Sequence, residues 1–304
     1  MTTTDPPHPV PALEEHAADG AVERVLFATD GGEAGAGALR WVARRAKSHR
    51  LDVEILTVVE QEWVTGELTT SQFDDAGERA VAAARQALER TAPSAVVSTG
   101  VGWGDPRTAF SRASEDKDLL VVGSNRTGRL SALLGSTFPM KLVEGAKCPV
   151  VVVPRNWQPS HGAVVVGVQG DGSDEAAVRF AAREATILHR ELRVVHSWSV
   201  PTVLGPEIPM PTDEAGVADT HDVVLDRVLA ELRIMHPGLE IRGVLAEGEA
   251  ADVLAREATG EELLVVGSHG WTVMDRFFLG SISREVLTRP PCPVAVVRPR
   301  EKGR

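Results

Sequence analysis

The chain has 304 residues, 43% hydrophobic and 25% charged, and a net charge of −11. This is ordinary globular composition with length enough for two cores, and the acidic balance excludes general nucleic-acid binding, which needs a basic surface to displace counterions. No apolar run approaches the ~20 residues of a membrane-spanning helix, so no membrane partner is expected.

Residues 1–20, rich in Pro, Ala and acid, read as a flexible tail. They lack the basic start and apolar stretch of a signal peptide, so a cytoplasmic location is expected. Short β-branched runs then predict strands at 23–29, 51–59, 94–101, 118–123 and 149–153. Between them, longer amphipathic stretches predict helices at 33–49, 75–92, 105–116 and 136–146. A turn-rich linker follows, Pro154-Arg155-Asn156-Trp157-Gln158-Pro159-Ser160-His161-Gly162. The order then repeats, with strands at 163–168, 191–198, 239–246, 261–267 and 293–298 and helices at 173–189, 214–236, 249–259 and 281–288. The longest irregular stretches follow the second strand of each half, near 60–74 and 199–213. Glu60, Glu62 and Glu67 on the first of these lack ligand spacing and read as solvated.

The repetition extends to single residues. Leu119-Leu120-Val121-Val122-Gly123-Ser124 matches Leu263 through Ser268, Gly135-Ser136 matches Gly280-Ser281, and Cys148-Pro149-Val150 matches Cys292-Pro293-Val294. The chain therefore carries two versions of one α/β domain, expected at 21–155 and 162–300. Each is a doubly wound, five-stranded, parallel, Rossmann-like sheet, since strands and helices alternate. The runs Val150–Val153 and Val294–Val297 read as apolar sheet edges that satisfy each other, making an internal pseudo-dimer. Dimerisation of the whole chain is left open. The two cysteines read as small core residues rather than a disulfide.

In an open parallel sheet, ligands sit beyond the carboxyl ends of the strands. The candidates gather there. In the second half, Gln169 ends the first strand and Val195 lies at the end of the second. Val266 and Gly267 close the fourth strand and lead into Ser268, His269 and Gly270; Gly280, Ser281 and Ile282 then open a helix. Bare glycines admit a ligand close to the main chain, and the free N–H groups of a helix's first turn favour an anion. The site is therefore read as a phosphate cradle made largely of backbone. Counting two residues further along would put Asp171 in the place of Gln169, and that alternative stays open. In the first half the corresponding residues are Ala28, Thr29, Asp30, Val58, Val122, Gly123, Arg126, Gly128, Gly135, Ser136 and Thr137. This glycine loop is one residue shorter; Arg126 or Arg129 either pairs with phosphate or is solvated, and Gly128 serves a turn. His196 reads as a core or rim histidine with a base contact as the alternative. Trp103 and Trp198 read as core or interface residues. The apolar stretch 271–279 reads as a half-buried turn or a partner surface.

The order of elements, the Gly-x2-Gly-x9-Gly-Ser spacing from Gly267, the Val-Gly-Val opening at 166–168 and the Cys-Pro-Val closing strands resemble the universal stress protein family in its tandem form. The resemblance covers about residues 22–299. It implies ATP binding in many members, with magnesium carried by the nucleotide, pairing through the last strand, and neither a metal cluster nor a common reaction. Asp30 matches the family's first-strand aspartate; Gln169 departs from it. No Lys-Ser/Thr follows the glycines, so neither loop is a Walker A motif. Three readings follow: an ATP-binding regulatory protein acting through an unknown protein partner, a slow ATPase or nucleotidyl-transfer enzyme, and an interaction scaffold that no longer binds nucleotide.

Overall fold

A computed structural model describes residues 21–59, 70–124, 137–199, 214–268 and 279–298. In the first lobe the strands are β1 (Val22–Ala28), β2 (Arg50–Val59), β3 (Val96–Trp103), β4 (Leu119–Ser124) and β5 (Val150–Pro154). Its helices are α1 (Gly35–Arg45), α2 (Thr70–Thr91), α3 (Pro106–Ala113) and α4 (Thr137–Gly145). The second lobe has β6 (Val164–Gly167), β7 (Leu192–Trp198), β8 (Ile241–Glu247), β9 (Leu263–Gly267) and β10 (Val294–Val297). Its helices are α5 (Glu175–Leu188), α6 (Glu214–Met235), α7 (Ala250–Glu257) and α8 (Ser281–Thr288). The first long loop is shorter than expected, since α2 already begins at Thr70.

All ten strands form one sheet in the order β3-β2-β1-β4-β5-β10-β9-β6-β7-β8. Every pairing within a lobe is parallel. The junction between lobes is antiparallel, with Val152 opposite Val294 and Val150 opposite Val296. The expected internal pseudo-dimer is thus a continuous sheet. Its central strands are apolar at successive positions because helices cover both faces. One core lies under α1, α2, α5 and α6, through Trp41, Val42, Leu88, Phe180 and Leu229. The other lies under α3, α4, α7 and α8, through Phe110, Leu142, Leu254 and Val286. Both cores run across the junction.

Local chemistry sets the element ends. Asp105 accepts hydrogen bonds from the Thr108 amide (2.9 Å) and hydroxyl (2.7 Å), capping α3 ahead of Pro106. The same bonds hold its carboxyl below the usual range. At the other end of α5, His189 takes a left-handed conformation (φ 52°) and its amide donates back to the helix. Cys148 and Cys292 are buried and free. Burial pushes the Cys148 thiol up to about 12 and moves Cys292 the same way.

Charged side chains lock the lobes together on each face. Arg45, on α1, is buried between Glu23 and Glu184 of the other lobe. It donates to Glu184 at 2.6 and 2.9 Å and to Glu23 at 2.6 and 2.8 Å, while its guanidinium lies 5.2 Å from the Trp41 ring. Burial alone would push the Glu184 carboxyl up, but the Arg45 charge and hydrogen bonds override it and hold the carboxyl well below its usual value. Beside it, Arg44 pairs with Glu262 at 3.0 Å, and Arg40 donates to the linker carbonyls of Arg155 and Trp157. On the opposite face, Arg298 donates to the carbonyls of Val143 and Glu144 at 2.7 Å each, closing the C-terminus of α4 from the other lobe. Arg284 adds a contact to Glu144 at 3.1 Å.

Arg45→Met strands the buried carboxylate of Glu184 and the partly buried one of Glu23, and lowers stability by about 3–5 kcal/mol in urea unfolding. Adding Glu23→Gln and Glu184→Met to that variant recovers most of the loss. A cost under about 1 kcal/mol for the single change shows that the cluster is not holding the lobes.

Candidate functional site

The two lobes present equivalent strand ends in different states. In the first, the Thr29 amide donates to the Leu56 carbonyl at 3.1 Å; in the second, Val168 donates to Val195 at 2.9 Å. Asp30 and Gln169 therefore occupy the same place, and both are exposed. Asp171 lies beyond it, accepting from the Ser173 amide (2.9 Å) and hydroxyl (2.6 Å), bonds that lower its pKa. Asp30 accepts from the Gly32 amide at 2.8 Å, and the Thr29 hydroxyl accepts from Gly31 at 3.1 Å. In the second lobe a different residue takes over: Asp174 accepts from the amides of Gln169 (2.6 Å) and Gly170 (2.9 Å).

The sheet corrects one pairing. The rim bonds from Gly104 to Val59 and from Gly248 to Trp198 align the ends of the second strands. By that register Val195 is the counterpart of Leu56, and Val58 is the counterpart of Ser197, two positions away. Ala28, Val122, Val195 and Val266 have their side chains within the cores, 3% exposed or less. They shape the rim from beneath, and any ligand contact from them is through the main chain. Val58 is half-buried.

Gly123 and Gly267 also differ. A Cβ on Gly123 would run into the carbonyl oxygen of Ala34 and meet the Gly35 nitrogen at 3.0 Å. Gly123 is bare because the start of α1 crosses it, so a structural role accounts for it without a ligand. A Cβ on Gly267 meets nothing within 4 Å among the described residues.

Around Gly267 the ends of a loop are pinned together. Ser268 donates to Val297 and accepts from Gly280, each at 3.0 Å, and the Ser283 hydroxyl donates to the Gly267 carbonyl at 2.6 Å. Helix α8 then starts at Ser281 with Gly280 as its cap residue and no side-chain cap. Ser281 is exposed and Ile282 is 39% exposed. The first-turn amides of α8 thus start at an exposed residue beside a glycine clear of the other described residues, the local electrostatics an anion needs. Thr137, the counterpart of Ile282, opens α4 in the first lobe. Arg126, Gly128, Gly135, Ser136, His269 and Gly270 lie outside the described residues, as do the 1–20 tail, Glu60, Glu62, Glu67 and residues 271–278.

A histidine pair adjoins the second site. His196 is 4% exposed. Its Nδ1 lies 2.9 Å from the Val168 carbonyl, so that nitrogen carries the proton. Its Nε2 lies 2.8 Å from Nδ1 of His221 on α6, and His221 stacks on Trp198 at 6.0 Å between centroids. With both rings neutral, His221 donates from Nδ1 and His196 accepts at Nε2, which leaves Nε2 of His221 as the pair's remaining acceptor. Trp103 in the first lobe is 40% exposed, against the core or interface position expected. Among the described residues no group of three or more His, Cys, Asp or Glu is placed to hold a metal, and no helix is long and apolar enough to cross a membrane.

Sequence reasoning did not find Asp174, His221 or Arg227 as neighbours of this rim. Asp174 is signalled only by the dense Gly-Asp-Gly-Ser-Asp run. The other two lie within a long helix with no local signature, and only comparison with α2 shows them to be changes.

These features define a class: a duplicated α/β protein with exposed strand ends and an uncapped helix start in its second lobe. The chain belongs to the universal stress protein family, matching it over residues 21–154 and again over 161–298. A universal stress protein of Mycolicibacterium smegmatis is 28% identical over 288 residues, covering 91% of this chain and 97% of that protein. The Mycobacterium tuberculosis universal stress protein Rv1996 is 26% identical, with coverage of 90% and 94%. Among solved structures, a universal stress protein from Archaeoglobus fulgidus superposes with a TM-score of 0.66 at 22% identity, covering 91% of this chain and 98% of that one. Membership places the chain among stress-response proteins.

Two measurements probe this geometry. Gly123→Ala costs about 1–3 kcal/mol, since the start of α1 must move. Gly267→Ala changes stability by under about 0.5 kcal/mol; equal costs contradict the difference between the lobes. The second measurement concerns pH. Burial, and then the His196 charge, lower the pKa of His221; burial likewise lowers His49. Each folded histidine binds its proton less well than in the unfolded chain, so its contribution is complete above a pH of about 6.5 and is lost as pH falls below it. Melting temperature therefore drops between about pH 7 and pH 5, and drops less in His221→Phe. Parallel pH profiles for the two proteins refute the histidine assignment.

Proposed function

We propose that this universal stress protein binds ATP in its second lobe and acts through occupancy rather than catalysis. The observation that carries the reading is the start of α8 at Ser281, exposed and without a side-chain cap, beside Gly267, whose Cβ position meets none of the other described residues. In this reading the first-turn amides and the Ser281 hydroxyl hold phosphate oxygens, with magnesium arriving on the nucleotide. Gln169 meets the ribose or base, and Ile282 borders the phosphates. Gly280 has no side chain to obstruct them, and His269 and Gly270 complete the loop. Residues 21–155 and 162–300 are the two domains, with 1–20 as a tail. The first lobe offers Asp30, but there the glycine at the end of the fourth strand is already covered by α1. Bound nucleotide alters the surface that a protein partner sees beside the start of α8. The absence of the Walker A lysine from the sequence is the reason to read binding rather than rapid hydrolysis.

Thermal unfolding and calorimetry with Mg-ATP test this. Nucleotide at a hundred times its dissociation constant stabilises the chain by about 2.7 kcal/mol. Ser281→Glu places a carboxylate where a helix start tolerates it well and a phosphate does not. It leaves the ligand-free melting temperature nearly unchanged and weakens ATP binding by at least about tenfold. No stabilisation of the wild type by millimolar Mg-ATP rejects the reading.

A further inference from the structure

Helices α2 and α6 are each 22 residues long and cover the same turn in their respective lobes. A Cβ on Gly31 would meet Ala80 on α2, and one on Gly170 would meet Val224 on α6. Ala80 and Val224 are each the eleventh residue of their helix, so the helices correspond position by position. One turn further along, Ala83 in the first lobe corresponds to Arg227 in the second. Arg227 donates from Nη2 to the carbonyl of Gly170, the residue after Gln169. It is exposed and makes no ion pair among the described residues.

The two lobes therefore differ by a paired change at one rim. The first has the exposed carboxylate of Asp30 and an alanine on the covering helix. The second has the neutral Gln169 and a guanidinium. Each change moves the local charge in the positive direction by one unit. The nearby acids leave the cation in place: Asp174 is engaged by the amides of Gln169 and Gly170, and Asp171 is turned onto Ser173. Asp222 and Asp226, on α6 itself, form no ion pair with Arg227 among the described residues.

An acidic residue at a ribose accepts from its free hydroxyls and repels a phosphate attached there. Removing the acid and adding an arginine reverses the preference, because a guanidinium matches phosphate through paired N–H donors. We infer that the second lobe selects an adenine nucleotide that carries an additional phosphate on its ribose, at the 2′ or 3′ oxygen, with Arg227 as the residue that recognises it. The inference rests on the nucleotide reading above and makes it specific. One Nη2 hydrogen stays on the Gly170 carbonyl, which fixes the guanidinium over the turn, and the other Nη2 hydrogen, with the N–H beside it on the same edge, forms the donor pair offered to the phosphate.

Calorimetry on the full chain with AMP, adenosine 2′,5′-bisphosphate and adenosine 3′,5′-bisphosphate tests it, because these ligands differ by one phosphate and its position. One bisphosphate binds at least about tenfold more tightly than AMP. Which one does so assigns the ribose position. Arg227→Ala removes that advantage and leaves AMP affinity within about twofold, and Arg227→Lys restores part of it. Gln169→Asp weakens the bisphosphate more than AMP, and Ser281→Glu weakens all three ligands, which ties the effect to the second lobe. If AMP or ATP binds and neither bisphosphate binds more tightly, the ribose-phosphate inference fails and the nucleotide reading stands. An advantage that survives Arg227→Ala also overturns the inference. If no nucleotide binds, the underlying reading fails and the inference goes with it.

Discussion

Strand β10 runs against β5 in the opposite direction, and the rest of the architecture depends on that contact. Val150–Val152 and Val294–Val296 are buried on both faces, and each strand would otherwise be an apolar edge open to any other chain. Pairing them closes two liabilities at once and merges two five-stranded sheets into one of ten. The reversal of direction also fixes where everything else lies. Strand carboxyl ends in the first lobe point one way and those in the second point the other, so the two rims lie on opposite edges of the sheet. The Arg45 cluster on one face and the Arg298 contacts on the other hold the helical layers in the same registration.

Within that frame the lobes have parted company where ligand chemistry would occur. In the first, α1 lies across Gly123, and Asp30 is bonded to its own turn. In the second, the Cβ position of Gly267 meets none of the other described residues and the turn after β6 is held by Asp174. His196 and His221 stand where Thr57 and Gly77 stand in the first lobe, so a polar bridge between α6 and the strand end replaces a close packing of helix on sheet. The surrounding strands kept their register through all of these changes, because the apolar rim positions such as Ala28, Val122, Val195 and Val266 stay within the cores in both lobes.

Much of the fold was legible in the sequence for a simple reason. Valine-rich runs such as Val150–Val153 report burial on both faces, and the duplication gives each element a second, independent reading. The candidate site was legible only where it is made of main chain: Gly267, Gly280 and Ser281 announce a turn and a helix start through residue type alone. Side-chain contributors were not. Pairing Val58 with Val195 missed by two positions because apolar strand ends look alike without their hydrogen-bond register. Gly123 looked equivalent to Gly267 because a glycine needed for helix approach and one that no described neighbour crowds have the same letter. Arg227 was invisible because its meaning depends on Gly170, far away along the chain.

The linker from Arg155 to Gly162 has an evolutionary consequence. A pair of identical subunits must alter both of its sites whenever the gene changes, so an exchange such as Asp30 for Gln169 could never be confined to one of them. Covalent fusion removes that constraint while keeping the subunits at a fixed, very high effective concentration. One half can then drift toward a scaffold while the other acquires a new preference, and the stress protein becomes in effect a heterodimer encoded by a single message.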